Sequence, residues 1–168
     1  MQLELLDEKH LDALLSFELD NRTYFETLIE SRGHHFYRKA VVLAHIRELM
    51  SDYESGDKFS CLVIKDKGVV ARANIKAIDD ERGSAEVGYR VAEDSAGQGV
   101  ASFALAGLIK IAKNQLALKS LTAWVMNNNP ASARVLEKQG FVKQQTLQNH
   151  YCFHGRYLAC SEYSLLLD

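Results

Sequence analysis

Proline and cysteine are scarce in this 168-residue chain, with one Pro and three Cys. Three cysteines without regular spacing, Cys61, Cys152 and Cys160, make no disulfide framework, so a packed core must hold the fold. Cys61 lies in the apolar run Phe59–Ile64 and reads as a buried small hydrophobe. Cys152 and Cys160 fall on either side of a hairpin turn but are not read as a bridge. No apolar run approaches the about 20 residues that cross a bilayer. The start, Met1–Glu8, is acidic and lacks the basic-then-apolar layout of a signal peptide, so a cytoplasmic protein is expected. A strong basic field is missing too: 20 Lys+Arg stand against 22 Asp+Glu, a net charge of −2. Neither nucleic acid nor a membrane is therefore an expected partner. The six histidines show no ligand spacing, and no metal is expected.

What remains is 47% hydrophobic and 25% charged residues, with no repeat and no Pro/Gly/Ser linker. That composition suits one globular domain over residues 1–168. Gln2–Leu6 is short and apolar enough for a strand. Asp7 can cap a helix whose stripe is Leu11, Leu14, Leu15 and Leu19. Asn21 can cap a short second helix with Tyr24, Phe25, Leu28 and Ile29 on one side. Ser31–Arg38 reads as a loop, and the basic groups there, with Lys39, as solvated. Val42, Ile46, Leu49, Met50 and Tyr53 mark a helix from about Lys39 to Tyr53. The period then changes to that of strands: Phe59–Lys65, Val69–Ile78 and Ala85–Ala92 form an antiparallel meander with turns at Asp66-Lys67-Gly68 and Asp79–Ser84.

After a small-residue loop, Leu105, Leu108, Ile109 and Ala112 mark another helix. A strand follows at Ser120–Val125. Pro130 then opens a helix that Gly140 closes. Phe141–Phe153 and Tyr157–Leu167 are two long strands around His154-Gly155-Arg156. This order predicts an α+β (mixed α/β) sheet protein flanked by helices.

The loop Glu93–Gly99 is the most informative segment. It is small-residue-rich and feeds a helix whose first amides are unsatisfied and sit at the positive end of the helix dipole. A phosphate or pyrophosphate is the natural guest there. Taken alone, the loop equally suits a strand-to-helix turn that binds nothing. No Gly-Lys-Ser/Thr is present, which argues against a P-loop. Only Gly97 and Gly99 are available for a dinucleotide fingerprint, and they follow a meander.

Ala85-Glu86-Val87-Gly88-Tyr89-Arg90-Val91 followed by Gly97-Gln98-Gly99-Val100-Ala101 resembles the acetyl-CoA loop of the GCN5-related N-acetyltransferase (GNAT) family. In the pattern Arg/Gln-x-x-Gly-x-Gly/Ala, Gly99 and Ala101 fit, while Ala96 departs from the first position. The ribosomal-protein N-terminal acetyltransferases, the RimJ/RimL type, often depart there as well. A second block, Asn129-Pro130-Ala131-Ser132 with Glu137-Lys138-Gln139-Gly140-Phe141, resembles the family's Asn-x-x-Ser and Glu-Lys-x-Gly-Phe at matching spacing.

The resemblance implies the GNAT fold, a twisted mixed sheet of about seven strands splayed between strands 4 and 5. It implies acetyl transfer from acetyl-CoA to an amine. It places Val91, Ala92 and Glu93 along the pantetheine. It places the amides of Gly97, Gln98, Gly99, Val100 and Ala101, with Ser102, at the pyrophosphate. Asn129 and Ser132 would line the pantetheine arm. The acceptor it suggests is a protein or peptide N-terminal α-amine, such as that of a ribosomal protein, taken up by a monomer or homodimer.

Amine attack on a thioester needs a neutral amine, a stabilised oxyanion and a protonated leaving thiolate. An α-amine with a pKa of about 8 is about a quarter neutral at pH 7.5, a lysine only about 0.1%. Glu86, in a strand position where family members carry a glutamate, is the candidate base; a salt-bridged strand glutamate is the competing reading. A strand amide near Tyr89–Val91 would serve the oxyanion. The family's proton-donating tyrosine is replaced by Leu136, and Ser132, one turn away on the same helix face, is the candidate hydroxyl. Arg22, Tyr24, Phe25, Glu86 and Tyr89 are candidates for acceptor contact; for Tyr24 and Phe25 core packing competes. The subgroup's usual Asp in the last hairpin is Ala159 here. Three alternatives remain open at this stage: an enzyme acting on a polyamine, amino acid or antibiotic, a non-catalytic acyl-CoA-binding module, and a nucleotide-binding protein of another fold.

Overall fold

Alternation along the strands and 3.6-residue spacing along the helices decide on which side of a central sheet each residue is buried. The computed structural model describes all 168 residues, Met1–Asp168. In chain order the elements are β1 (Gln2–Leu5), α1 (Leu11–Asp20), α2 (Arg22–Phe25), α3 (Gly33–Phe36), α4 (Lys39–Ser55), β2 (Phe59–Lys65), β3 (Gly68–Asp79), β4 (Ser84–Val91), α5 (Val100–Asn114), β5 (Ser120–Met126), α6 (Pro130–Lys138), β6 (Val142–Phe153) and β7 (Arg156–Leu166). The seven strands form one sheet in the order β1-β2-β3-β4-β5-β7-β6. Every pairing is antiparallel except β4 with β5.

Two cores cover the two faces. On one, α5 and α6 bury Leu105, Leu108 and Leu136 against Val63, Ala73, Ile75, Val87 and Leu121. On the other, α1, α2 and α4 bury Leu14, Phe17, Phe25, Val42, Ile46 and Leu49 over Leu62. The strand period of two therefore sorts β4: Ala85 and Val87 enter the α5 face, and Glu86, Gly88 and Arg90 leave on the other.

β4 and β5 are in register only from Ser84↔Ser120 to Glu86↔Thr122. β4 runs on to Val91 and β5 to Met126 without pairing. β7 pairs along the whole far side of β5, from Ser120↔Leu166 to Met126↔Cys160, so the gap opens on the β4 side alone. The splay expected between strands 4 and 5 is thus present, together with the mixed seven-stranded sheet.

Local expectations differ in three places. Ser31–Arg38 is not wholly loop, because Gly33–Phe36 makes one helical turn. Asp7 caps a 3-10 turn, Glu8–His10, that precedes α1 rather than α1 itself. Asn21 does not cap α2; its side chain donates back to the Phe17 carbonyl and accepts from the Glu93 amide. Cys152 is exposed and stands opposite Tyr157, while buried Cys160 stands opposite Leu147, so both are free thiols. No helix is long and apolar enough to cross a membrane.

Candidate active site

The gap between β4 and β5 is a groove of about 710 Å³. Its walls are the unpaired halves of the two strands, the start of α5, the first turns of α6, and Tyr24, Leu28 and Ile29 after α1. The Ala92 amide donates to the Val70 carbonyl at 2.9 Å. In an antiparallel pair this fixes the even positions of β4 as those bonded to β3. The backbone groups of Val87, Tyr89 and Val91 therefore point into the gap, where β5 no longer meets them. They form a free strand edge, ready to pair with an extended ligand.

At one end of the groove stands the loop before α5. The amides of Gly97, Gln98, Gly99, Val100, Ala101 and Ser102 have no acceptor within the protein; the first helical amide with one is Phe103, which donates to Gly99. Gly97 and Gly99 hold φ of +74° and +80°. A Cβ on either would meet nothing within 4 Å, so the left-handed backbone, not crowding, calls for glycine. Six free amides at the N-terminus of a 15-residue helix make an anion site. Arg134 and Lys138 add positive charge to the lining.

At the centre, Tyr89 leaves β4 on the α6 side, and its hydroxyl lies 3.0 Å from Ser132 Oγ and 3.3 Å from the Ser132 carbonyl. Ser132 is placed by the start of α6, where Pro130 occupies the first turn and Asn129 Oδ1 accepts the Ser132 amide at 3.2 Å. Burial pushes the Tyr89 phenol above its ordinary pKa, partly offset by the bond to Ser132. It is a protonated hydroxyl at neutral pH.

On the opposite face of β4, Glu86 sits at the apex of the splay, opposite Thr122 on β5. Its carboxylate is 2.8 Å from Lys76 Nζ. Gly88 leaves open space between Glu86 and Arg90: a Cβ there would touch nothing within 4 Å. Arg90 lies over the Phe25 ring at 4.6 Å and reaches buried Glu18 at 3.0 Å. Trp124, the sole tryptophan, lines the β5 wall and stacks on His150 at 4.7 Å. The tip of the β6–β7 hairpin is tied to the segment after α2 by His154, through the Glu30 carboxylate and the Glu26 carbonyl.

The groove brings together most of the residues singled out from sequence. Val91, Gly97, Gly99, Ala101, Ser102, Asn129, Ser132, Glu86, Tyr89 and Tyr24 line it. Gln98 and Val100 contribute amides only: the Gln98 side chain turns to the Asp94 carbonyl and Lys65, and Val100 is buried. Ala92 and Glu93 do not line the groove. The Ala92 amide is bound to Val70 and the Glu93 amide to Asn21, their carbonyls accept from Ser95 and Ala96, and both face a separate depression beside α1. Phe25 is core, 3% exposed beneath Arg90. Arg22 is held by Glu26 and lies over Tyr37, outside the groove. Sequence reasoning missed Arg90 and Trp124 as groove residues. It also gave Tyr89 no link to Ser132, because only the fold brings the two together.

An acetyltransferase (GNAT) domain model matches residues 1–142. The uncharacterized N-acetyltransferase p20 of Bacillus licheniformis is 31% identical over 110 residues, 66% of this chain. The match spans 62% of that relative's length, less than two thirds. Among solved structures, the ribosomal-protein-S5-alanine acetyltransferase of Vibrio fischeri superposes with a TM-score of 0.93 at 20% identity, covering 99% of this chain and 93% of that one. The RimL ribosomal L7/L12 α-N-protein acetyltransferase, solved with coenzyme A, gives 0.91 at 19% identity, with the same coverage. A spermidine N-acetyltransferase of Vibrio cholerae gives 0.80 at 18% identity, so the shared fold does not choose the acceptor. The chain belongs to the GNAT acetyltransferase domain family, a family of acetyl-CoA-dependent N-acetyltransferases, and the alternative of a nucleotide-binding protein of another fold falls away.

Proposed function

We propose that this chain transfers an acetyl group from acetyl-CoA to a primary amine, and that the acceptor is the α-amine at the N-terminus of a protein or peptide, such as a ribosomal protein. The observation that carries the reading is the splay itself: a free strand edge on β4, an anion site of six amides at one end, and a hydroxyl pair at the centre. These residues fit acetyl-CoA. The amides of Gly97–Ser102 suit its pyrophosphate, and the backbone of Val87, Tyr89 and Val91 suits its amide-bearing pantetheine arm. When bound, it supplies an activated thioester.

The protein's own residues then divide the proton work between the two faces of β4. Glu86 faces the acceptor side and takes the proton released as the amine nitrogen bonds to the acyl carbon, directly or through water. Backbone amides of the splayed strand edge, at Tyr89 or Val91, stabilise the negative charge on the acyl oxygen. Tyr89 gives its phenol proton to the departing sulfur; the Ser132 hydroxyl, bonded to it, stabilises the phenolate until a proton returns from solvent. That pair supports a catalytic role against the reading of a mere CoA-binding module, which rested on Leu136 standing in the family's tyrosine position. An α-amine, already partly neutral near pH 7.5, suits a base such as Glu86 that is shared with Lys76.

Thiol release is measured with acetyl-CoA and a short peptide bearing either a free or a blocked N-terminus and no lysine, while Trp124 fluorescence follows groove occupancy. The expected result is a fluorescence change with acetyl-CoA in both samples, and thiol release only with the free N-terminus. Fluorescence change without release on any amine would leave a binding module instead.

A further inference from the structure

The acceptor end of the groove holds more guanidinium charge than carboxylate. Glu18 on α1 is 1% exposed, and one oxygen, Oε1, accepts from both Arg72 at 2.6 Å and Arg90 at 3.0 Å. His45 Nε2 accepts from the Arg72 Nη2 at 3.2 Å, and burial with the neighbouring guanidiniums holds it neutral, its pKa pushed down to about 4. Arg32 stands further out, beyond Phe36, whose ring meets His45. It makes no ion pair and no side-chain hydrogen bond; its contact is the Phe36 ring, 4.4 Å away.

Two guanidiniums thus share a single buried carboxylate. Nearby acids do not close the balance. Glu86 is matched by Lys76, Glu26 is bonded to Arg22 and Ser31, and Glu30 receives the His154 amide. Arg90 uses one nitrogen, Nη2, on Glu18; its Nη1 and Nε have no partner, and the residue lines the groove beside Tyr24 and Ile29. Burying unmatched like charges is costly, and such an arrangement is stabilised by an anion that arrives with the ligand.

Resting on the acetyl-transfer reading above, we infer that Arg90, backed by Arg72 on the shared Glu18, forms a subsite for a carboxylate carried by the acceptor close to its reactive amine. Gly88 keeps the strand surface open between Glu86, where the amine is deprotonated, and Arg90, where the carboxylate is held. Two positions on the same strand face, four residues apart, stand about 13 Å apart at about 3.3 Å per residue. That span suits a carboxylate one or two residues along a peptide better than the α-carboxylate of a free amino acid. A polyamine, with ammonium groups at both ends, is disfavoured by the same charges.

The test compares kcat/KM for acetylation of lysine-free peptides that differ at the second residue, Asp, Asn or Arg, together with free aspartate and spermidine. The Asp peptide is expected to exceed the Asn peptide by about tenfold or more, the worth of a charge-assisted bond in a partly desolvated site. The ratio should collapse towards one in R90Q and fall in R90K. A preference for free aspartate over the peptide would assign the same subsite to an α-carboxylate. Equal rates for Asp and Asn, or a preference for Arg or spermidine, would overturn the subsite while leaving the transferase reading intact. Acetylation of no amine at all would overturn both. A measurement without turnover gives an independent check: the N-acetylated Asp peptide should bind the intact protein more tightly than its Asn counterpart by calorimetry, with the difference lost in R90Q. Equal affinities would count against the subsite whatever the kinetics.

Discussion

The hydroxyls of Tyr89 on β4 and Ser132 on α6 meet at 3.0 Å across the open side of the sheet, one from each wall of the groove. Neither strand pairing nor helix packing requires this contact. In the proposed reaction this pair, at the centre of the splay, supplies the proton for the leaving thiolate. Tyr89→Phe should lower kcat by about ten- to a hundredfold, within the lower range for general acid catalysis, and leave acetyl-CoA binding near wild type. Ser132→Ala should cost less, because the phenol remains. The double variant should cost little more than Tyr89→Phe alone, since the two act as one unit. Steady-state kinetics with acetyl-CoA saturating checks all three. Full kcat in Tyr89→Phe would remove the phenol from the mechanism.

Glu86→Gln should matter most where the acceptor needs deprotonating. With an α-amine of pKa about 8, the loss in kcat/KM should be largest near pH 6.5 and shrink above pH about 8.5, where the amine is already neutral. A pH-independent loss would instead point to positioning through the Lys76 ion pair.

Gly99→Ala tests the anion site. Its φ of +80° costs an alanine about 1 kcal/mol, and that strain falls on the turn that presents the free amides. Acetyl-CoA affinity should fall by about tenfold, while thermal unfolding without ligand shifts by only a few degrees.

Gly88→Leu tests the acceptor side. The side chain meets no protein atom near its Cβ, so the fold should tolerate it, but it fills the surface between Glu86 and Arg90. KM for the amine should rise by about tenfold or more, with acetyl-CoA affinity changed far less. The measurement is a pair of KM values, each with the other substrate saturating.

The buried charges beneath the groove set a pH limit on stability. Burial first, then Arg72 and Arg32, pushes the His45 pKa down from 6.5 to about 4. The unfolded chain therefore binds a proton at this residue that the folded one refuses. Stability is fully present above pH 6.5 and is lost as pH falls towards about 4. His45→Gln should remove a loss on the order of 1 kcal/mol over that window, discounted because the imidazole is partly solvated. Glu18→Gln should be harsher, about 3–5 kcal/mol at neutral pH, because Arg72 and Arg90 lose their shared anion. Urea unfolding across the pH range measures both.

Much of this was legible in the chain because local rules and family blocks agree. The period of two in Ala85–Val91, the glycines before α5 and the Asn129-Pro130 start of α6 each declare an element. The illegible parts are long-range. Asn21 reads as a helix cap, yet its side chain closes the Glu93 amide 72 residues away. That bond ties up the Glu93 amide on the α1 side, away from the groove. Glu18 reads as one more acid on an amphipathic helix; only the sheet behind it supplies Arg72 and Arg90 and makes it a buried anion. Tyr89 and Ser132 are 43 residues apart, and no spacing rule joins a strand tyrosine to a helix serine across a gap in a sheet.

The most direct test of acetyl transfer to an N-terminal amine at the splay uses a peptide that carries both a free α-amine and an internal lysine. After incubation with the protein and acetyl-CoA, tandem mass spectrometry locates the acetyl group. Acetylation at the α-amine, abolished or strongly slowed by Tyr89→Phe, is the expected result. Acetylation confined to the lysine, or rates equal to those without protein, would contradict it.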